Sequence, residues 1–266
     1  MKISAEIWKR LLLLVGLALS PGGFAAAAEG ATDAMNSAKD AWRSGQLSAA
    51  PSPAPSAPAW PPGLHWLEVG GGRKPALFVP QGLDPNRPVP LVVLLHGAGG
   101  AATDIVPLMQ GAAEAQKFLV LAPQSQDRTW DVIMGAYGPD VGALARALEL
   151  VFAAQAVDPG RIAVSGFSDG ASYALSLGLA NGELFGDVLA FSPGFMAPAT
   201  LAGKPRIFMS HGVDDAVLPV DRCSRRIAPQ LRNNGYNVDY REFPGPHVVP
   251  PEMVTAALER FLGRGG

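Results

Sequence analysis

The stretch Gly166-Phe167-Ser168-Asp169-Gly170 follows an apolar, strand-like run at 161–165 and opens a helix-like one. It has the pattern Gly-x-Ser-x-Gly, which is typical of a nucleophilic serine on a sharp strand-to-helix turn. Such a turn strains the backbone of the serine, and its neighbours two residues away must not collide with it. A chain with 31 glycines can contain this pattern by chance. The rest of the sequence must therefore supply partners for Ser168.

A serine hydroxyl needs a base, and the base needs an orienting group. Of the four histidines, His65 falls in the first predicted strand and is interpreted as a surface or edge residue. His96 and His211 each end a strand as His-Gly, where an imidazole typically ties loops together. His247 follows the last predicted strand and lies over the carboxyl ends of the strands, where Ser168 also emerges. We therefore predict His247 as the general base.

The orienting acid is expected in the loop after the strand before last. This loop carries the adjacent residues Asp214 and Asp215, and nothing local decides between them. Asp140, Asp158 and Asp187 stand at the starts of helices or strands and are interpreted as caps or turn formers.

The turn at 95–100, Leu-His-Gly-Ala-Gly-Gly, follows a predicted central strand. Its backbone N–H groups can face the site, so we predict an oxyanion hole formed by the N–H groups of Ala98 and Asp169. A phosphate-binding loop is the alternative. It fails because the turn lacks Gly-x-x-x-x-Gly-Lys-Ser/Thr and a ribose-binding acid at the expected distance.

The order of apolar runs predicts an α/β fold with a mostly parallel central sheet and helices on both faces. No stretch between Phe191 and Pro205 is long enough for a cap domain. A hairpin is predicted from 65–69 and 74–79, joined by Gly70-Gly71-Gly72. The other predicted strands are 91–95, 118–122, 161–165, 188–191, 206–209 and 238–243. The predicted helices are 104–116, 139–155, one that ends near 180, and one that starts near 251.

The first 28 residues predict a cleaved export signal. Lys2, Lys9 and Arg10 precede the apolar run 11–19, and Ala26-Ala27-Ala28 offers a cleavage site. The apolar run is too short to span a bilayer comfortably, so a retained anchor is the weaker alternative. We expect an exported protein, periplasmic or extracellular, with no membrane span after cleavage.

Residues 29–62 are interpreted as a disordered linker rich in Pro, Ala and Ser, and 63–264 as one catalytic domain. The segment 49–62 is so rich in proline that it cannot form a helix or a central strand. A solvated tether is therefore the expectation, and a docking segment for a cell-wall partner is the alternative.

Net charge and cysteine content argue against several kinds of function and of stabilising site. Without residues 1–28 the formal charge moves from -2 to -4, which gives no support to nucleic-acid binding. The single cysteine, Cys223, excludes an intramolecular disulfide. No cluster has metal-ligand spacing, so neither a metal nor a cofactor is expected.

Four segments together resemble the α/β-hydrolases, most of all the phospholipase/carboxylesterase group. They are also close to polyhydroxybutyrate-depolymerase-like and feruloyl-esterase-like secreted enzymes, and the likeness covers about residues 75–264. The resemblance implies that the acid is the fourth residue after the histidine of His-Gly-x-x-Asp, which is Asp215. Many members carry glutamine where this chain has Asp169. The segments are Leu95-His96-Gly97-Ala98-Gly99, Gly166-Phe167-Ser168-Asp169-Gly170, His211-Gly212-Val213-Asp214-Asp215 and Gly245-Pro246-His247.

The resemblance implies a serine carboxylic-ester hydrolase that works through Ser168, His247, Asp215 and an acyl-enzyme, on a small or polymeric ester. A serine peptidase on the same fold and a non-catalytic binding module are the alternatives. The residues proposed as apolar walls of the site could equally be core or loop packing. They are Trp130, Met134, Tyr137 and Phe195.

Overall fold

The computed structural model describes residues 40–52, 54–70, 72–84 and 87–263. The predicted signal at 1–28 lies outside these residues. Eight strands in the described part form one sheet, in the order β1-β2-β4-β3-β5-β6-β7-β8. The strands are β1 (Gly63–Trp66), β2 (Ala76–Val79), β3 (Val89–Leu95), β4 (Leu119–Ala122), β5 (Val157–Phe167), β6 (Asp187–Phe191), β7 (Arg206–Gly212) and β8 (Val238–Phe243).

The sheet has an antiparallel edge and a parallel centre. The pairs β1–β2 and β2–β4 are antiparallel. All pairs from β4 through β3 to β8 are parallel. The predicted hairpin edge and the mostly parallel sheet are therefore confirmed.

Helices cover both faces of this sheet, as predicted. They are α1 (Ala102–Ile105), α2 (Pro107–Gln116), α3 (Asp131–Met134), α4 (Pro139–Ala154), α5 (Asp169–Ala180), α6 (Ser224–Asn233) and α7 (Pro251–Leu262). Apolar residues of α4, α5 and α6 belong to one buried cluster, and those of α1, α2 and α7 belong to a second. Strand β3 separates the two clusters, since Leu91 and Val93 pack in the first and Val92 and Leu94 in the second. A strand covered on both faces must be apolar throughout, which explains the continuous run at 91–95.

Several elements differ from the prediction, and among the strands β1 spans Gly63–Trp66 where 65–69 was predicted. The predicted helix 104–116 is divided into α1 and α2 at Pro107, whose nitrogen has no hydrogen to donate. Helices α3 and α6 were not predicted. The sequence of α6 is strongly polar and carries Pro229 in its interior, so propensity argues against a helix there. Strand β5 begins at Val157, earlier than predicted.

The described part of the predicted linker lies on the domain. Trp42 and Trp60 pack against the first core cluster. The side-chain amide of Asn181 donates to the Gly45 carbonyl over 2.7 Å, and its oxygen accepts the Leu47 N–H over 2.8 Å. The residues that make these contacts are therefore held on the domain and are not a solvated tether, whereas residues 54–59 are exposed. Prolines prevent regular structure around Trp60, but both tryptophans still gain from burial.

Helix α5 is pressed against β5 and β6 at Gly178. A Cβ at this position would lie 2.3 Å from Val188 Cγ2 and 3.1 Å from Val164 Cγ1. Only glycine allows the helix to approach the sheet this closely, because any side chain would enter the space of the two valines. Helix α5 directly follows Ser168, so this contact helps to fix the position of the serine.

We expect Gly178→Ala to lower the free energy of unfolding by about 1–3 kcal/mol, because the added methyl overpacks a closed interface. The matched control is Gly111→Ala in α2, where a Cβ would meet nothing within 4 Å. This control should be neutral or more stable by about 0.5–1 kcal/mol, since alanine is the better helix former. Urea unfolding of both variants measures the difference. Equal free energies of unfolding for Gly178→Ala and Gly111→Ala would contradict a closed contact at Gly178.

Candidate active site

Ser168 joins β5 to α5 in a strained conformation. Its φ of 59° lies in the left-handed region, which L-residues rarely adopt. A Cβ at Gly166 would lie 2.3 Å from the Gly170 carbonyl oxygen, and a Cβ at Gly170 would lie 2.2 Å from the Leu95 carbonyl oxygen. Both neighbours are backbone atoms that cannot move aside. The glycines of the motif are therefore required by the close approach of three chain segments at this turn.

The structure brings His247 and Asp215 to Ser168. His247 lies in the loop between β8 and α7, and its Nε2 is 2.8 Å from Ser168 Oγ. Its Nδ1 is 2.5 Å from Asp215 Oδ2. The ring of Phe167 packs on the imidazole, with ring centroids 4.7 Å apart. The three groups thus form one hydrogen-bonded chain from hydroxyl to carboxylate.

Backbone donors fix the Asp215 carboxylate. Its Oδ1 accepts the N–H groups of Val217 over 2.9 Å and Leu218 over 2.8 Å. Burial by itself disfavours the charged carboxylate. These two N–H groups and His247 outweigh that effect, so the pKa of Asp215 lies below its ordinary value. Asp214 is exposed, and Asp215 is the member of the pair that faces the imidazole.

The histidines interpreted as structural do have structural contacts. His65 is partly exposed on the edge strand β1, and its Nε2 lies 2.6 Å from the Pro61 carbonyl oxygen. His96 is buried, with Nδ1 2.7 Å from the Gly97 carbonyl oxygen and Nε2 3.2 Å from the donating N–H of Ser125. Burial lowers the pKa of His96, which favours the neutral ring that this pairing needs. His211 is also buried and ties a loop, but that loop carries Asp215.

The glycine-rich turn lies directly beside the serine. A Cβ at Gly97 would be 3.4 Å from Ser168 Cβ. Asp169 is the first residue of α5, where backbone N–H groups lack helical acceptors. Within the described residues, neither the Ala98 N–H nor the Asp169 N–H has a protein acceptor. These N–H groups can thus donate to a negative oxygen formed at Ser168.

Sequence reasoning missed Thr129. Its hydroxyl donates to Asp169 Oδ2 over 2.7 Å, so the loop before α3 is attached to the residue that follows the nucleophile. The same loop is attached to the glycine-rich turn, because the indole N–H of Trp130 donates to the His96 carbonyl over 2.9 Å. No short sequence motif marks either contact. Both depend on segments about 40 and 34 residues apart.

Two of the four predicted apolar walls are core residues. Trp130 is buried and stacks on Tyr173, with ring centroids 5.0 Å apart. Tyr137 is buried, and its hydroxyl donates to the Ala197 carbonyl. Their polar atoms find partners inside the protein, as buried Trp and Tyr usually do. Met134 is 65% exposed and Phe195 is partly exposed, so these two keep surface that a substrate can contact.

Serines on α5 hold the loop that contains Phe195. The Gly194 N–H donates to Ser172 Oγ over 2.9 Å, and the Ala197 N–H donates to Ser176 Oγ over 2.9 Å. Ser172 and Ser176 are one turn apart in an otherwise apolar helix, and that spacing is a signal the sequence does contain. No helix or strand is described between Phe191 and Arg206. Ser168 remains partly exposed, so the loop borders the site without covering it.

Asp140 is not a helix cap. It is buried, its Oδ1 accepts the Gln126 N–H, and its Oδ2 accepts the Asp131 N–H, each over 2.7 Å. The carboxylate thus holds both ends of the loop that carries Thr129. The cap interpretation of Asp140 is wrong because its side chain turns from its own helix toward that loop. Burial, and repulsion from the Asp131 carboxylate, raise the pKa of Asp140 to about 6.

The described residues contain no group of three or more His, Cys, Asp and Glu side chains that could hold a metal ion. Among their helices, none has both the length and the apolar character needed to cross a bilayer. Cys223 is buried just before α6, and burial raises its pKa, which disfavours the reactive thiolate.

Comparison with known proteins finds one matching family model and several similar esterases. The phospholipase/carboxylesterase family model matches residues 141–262, which include Ser168, Asp215 and His247. A probable feruloyl esterase C of Aspergillus terreus is 27% identical over 62% of this chain and 63% of its own length. The feruloyl esterase C of Emericella nidulans is 28% identical over the same shares. The chain thus covers less than two thirds of these relatives.

A solved structure, that of esterase PE8, is 25% identical, with a TM-score of 0.57 over 70% of this chain and 97% of that one. The sheet order, the serine on its strand-to-helix turn and these similarities together define the α/β-hydrolase fold. The chain is similar to phospholipase/carboxylesterases over residues 141–262 and to feruloyl esterases over 62% of its length.

The raised pKa of Asp140 predicts a pH-dependent stability. An unfolded aspartate titrates at about 3.9, so the folded protein binds more protons between about pH 4 and pH 6. The contribution of Asp140 to stability is therefore largest at low pH and falls as the pH rises through this window. Asp140→Asn replaces the carboxyl by an amide, which does not titrate in this pH range. We expect the unfolding free energy of wild type minus that of Asp140→Asn to fall by on the order of 2 kcal/mol between pH 4 and 7. Urea unfolding of both proteins at several pH values measures this difference. A difference that stays constant with pH would refute the raised pKa of Asp140.

Proposed function

We propose that this protein is a serine carboxylic-ester hydrolase that acts through Ser168, His247, Asp215 and an acyl-enzyme. The observation that carries the proposal is the unbroken chain of short contacts from Ser168 Oγ through the imidazole to Asp215 Oδ2. Ser168 lies on a strained turn above a helix N-terminus, so the series of contacts ends in a hydroxyl that can act as a nucleophile. The esterase relatives support the choice of ester bonds.

The geometry supports a defined path for the proton. As Ser168 Oγ attacks the ester carbonyl carbon, its proton passes to Nε2 of His247 and the carbonyl electrons move onto oxygen. Asp215 accepts the hydrogen on Nδ1, which keeps Nε2 free to accept and stabilises the imidazolium that forms. The imidazolium then protonates the leaving alcohol. Water, activated by the same imidazole, attacks the acyl-enzyme and releases the acid.

The negative oxygen formed in each attack needs donors already in place. The N–H groups of Ala98 and Asp169 are proposed for this role. The turn that carries Ala98 packs against Ser168, and the side chain of Asp169 is held by Thr129. Both donors are therefore attached to rigid neighbours and need not reorganise during the reaction.

The substrate is proposed to be a small or polymeric ester bound at an open rim. Met134 and Phe195 offer apolar surface, and a cleft beside the Thr129–Asp169 contact is lined by Thr129, Asp131 and Met134. The names of the fungal relatives make a feruloyl ester the first compound to test, beside p-nitrophenyl esters of rising chain length and a polyester film. We also propose that the protein is exported, which rests on the sequence pattern of residues 1–28.

We expect Ser168→Ala to lower ester hydrolysis by at least about 10⁴-fold while the protein stays folded, because the nucleophile is removed and binding is not. A fluorophosphonate probe should label Ser168 in the wild type and nothing in the variant. Mass spectrometry of the labelled peptide and initial rates on p-nitrophenyl acetate measure the two effects. Full activity in the purified variant would end the acyl-enzyme proposal.

The adjacent acids provide a matched pair. Asp215→Asn should lower kcat by at least about 10³-fold, because an amide at this position no longer holds the imidazole in the productive tautomer. Asp214→Asn should stay near wild type, since Asp214 is exposed and, among the described residues, its one hydrogen bond runs from its backbone N–H to the Gly245 carbonyl. Rates on one ester under one set of conditions decide the question, and equal losses would contradict the assignment of the acid.

A further inference from the structure

His211 is a buried histidine that the proposed reaction does not use. It lies in β7, one residue before the end of the strand, and its side chain is fully buried. Its Nδ1 is 2.7 Å from Ser224 Oγ, at the start of α6. Its Nε2 is 2.7 Å from the Leu218 carbonyl oxygen and 3.2 Å from Asp215 Oδ2. The ring therefore links β7, α6 and the turn that presents the proposed acid.

The partners of His211 fix its tautomer. A carbonyl oxygen can only accept, so Nε2 must carry a hydrogen that it donates to Leu218. Nδ1 of the neutral ring then accepts the hydroxyl hydrogen of Ser224. Burial lowers the pKa of His211, against the opposing effects of Leu218 and Asp215. The neutral ring with hydrogen on Nε2 satisfies every contact.

The Nε2–H group acts on Asp215 by two routes. It holds the Leu218 carbonyl, and the N–H of the same residue donates to Asp215 Oδ1 over 2.8 Å. It also turns its positive end toward Asp215 Oδ2, the oxygen that contacts His247. Both carboxylate oxygens are thus positioned with the help of one buried ring.

We propose that His211 is a positioning residue for the triad acid and that Ser224, whose hydroxyl donates to Nδ1, holds the ring in place. This inference rests on the proposed function, because a positioned Asp215 matters for turnover only if His247 acts as the base.

The charged groups around His211 are compatible with a neutral ring. Asp215 and His247 face it from the catalytic loops, and Glu242 is its neighbour in register on β8. Glu242 is already paired with Arg225, which lowers the pKa of Glu242 and keeps its charge compensated. A protonated His211 would compete with His247 for the Asp215 carboxylate, so neutrality favours the catalytic pairing.

The test compares His211→Gln with His211→Met. The two side chains have the same length, and only glutamine carries an amide N–H that can replace the donor at Nε2. We expect His211→Met to lower kcat by at least about tenfold with KM unchanged, the rate equivalent of one lost hydrogen bond to a charged group. His211→Gln should recover most of that loss.

A second pair covers the case in which His211→Met does not fold. Ser224→Ala removes the hydroxyl that donates to Nδ1 and holds the ring in place. Ser210→Ala removes a buried hydroxyl of the same strand that has no partner among the described residues. We expect Ser224→Ala to lower kcat by several-fold with KM unchanged, and Ser210→Ala to leave both constants at wild-type values.

Proton NMR tests the positioning role of His211 without a measurement of turnover. The hydrogen on Nδ1 of His247, in its short bond to Asp215, should give a low-field resonance that His247→Ala abolishes. This resonance should shift or broaden in Ser224→Ala and persist unchanged in Ser210→Ala. A Ser224→Ala protein with the wild-type resonance and kcat would overturn the proposal. Absence of ester hydrolysis and of Ser168 labelling in the wild type would instead refute the proposed function, and the resonance would still report on His211.

Discussion

The structure depends on the close passage of β3, β5 and α5 at one turn. A side chain at Gly166 or Gly170 would overlap backbone atoms of the neighbouring segment, and Ser168 between them is held at positive φ. Packing of this density cannot relax, so it forces the hydroxyl out above the sheet. Gly178 extends the same contact along α5. This crowding holds Ser168 in place, and the other residues of the site are arranged around it.

Around that fixed point, the loops are held mainly by polar side chains. Asp215 is held by backbone donors and touched by His211, and Asp140 holds the loop that carries Thr129. Buried carboxylates are costly unless they are hydrogen bonded, and each of these two accepts several donors. Their pKa values nevertheless move in opposite directions. Asp215 is stabilised as the anion by His247 and backbone N–H groups, whereas Asp140 is destabilised by burial and by a second carboxylate.

The elements that could be predicted are those with a strong local pattern. The apolar run of β3, the face of α4 and the strand-to-helix turn at Ser168 each have a period or a motif that one segment contains. Helix α6 could not be predicted, because its polar sequence and internal Pro229 argue against it and only its packing against β7 and β8 supports it. Residues 41–62 were misread for a related reason. Composition reports the prolines but does not show where Trp42 and Trp60 find a surface.

The sequence by itself determined the fold class, the position of Ser168 and the choice of His247, because steric rules for glycine and the order of strands act locally or along the chain. It left Asp214 and Asp215 undecided until a family resemblance was used. Only the tertiary structure decided which carboxylate faces the imidazole, that Trp130 and Tyr137 belong to the core, and that Thr129 and His211 support the site. These facts depend on side-chain direction and on contacts between distant segments. Neither is specified until the chain has packed and its buried polar groups have met their partners.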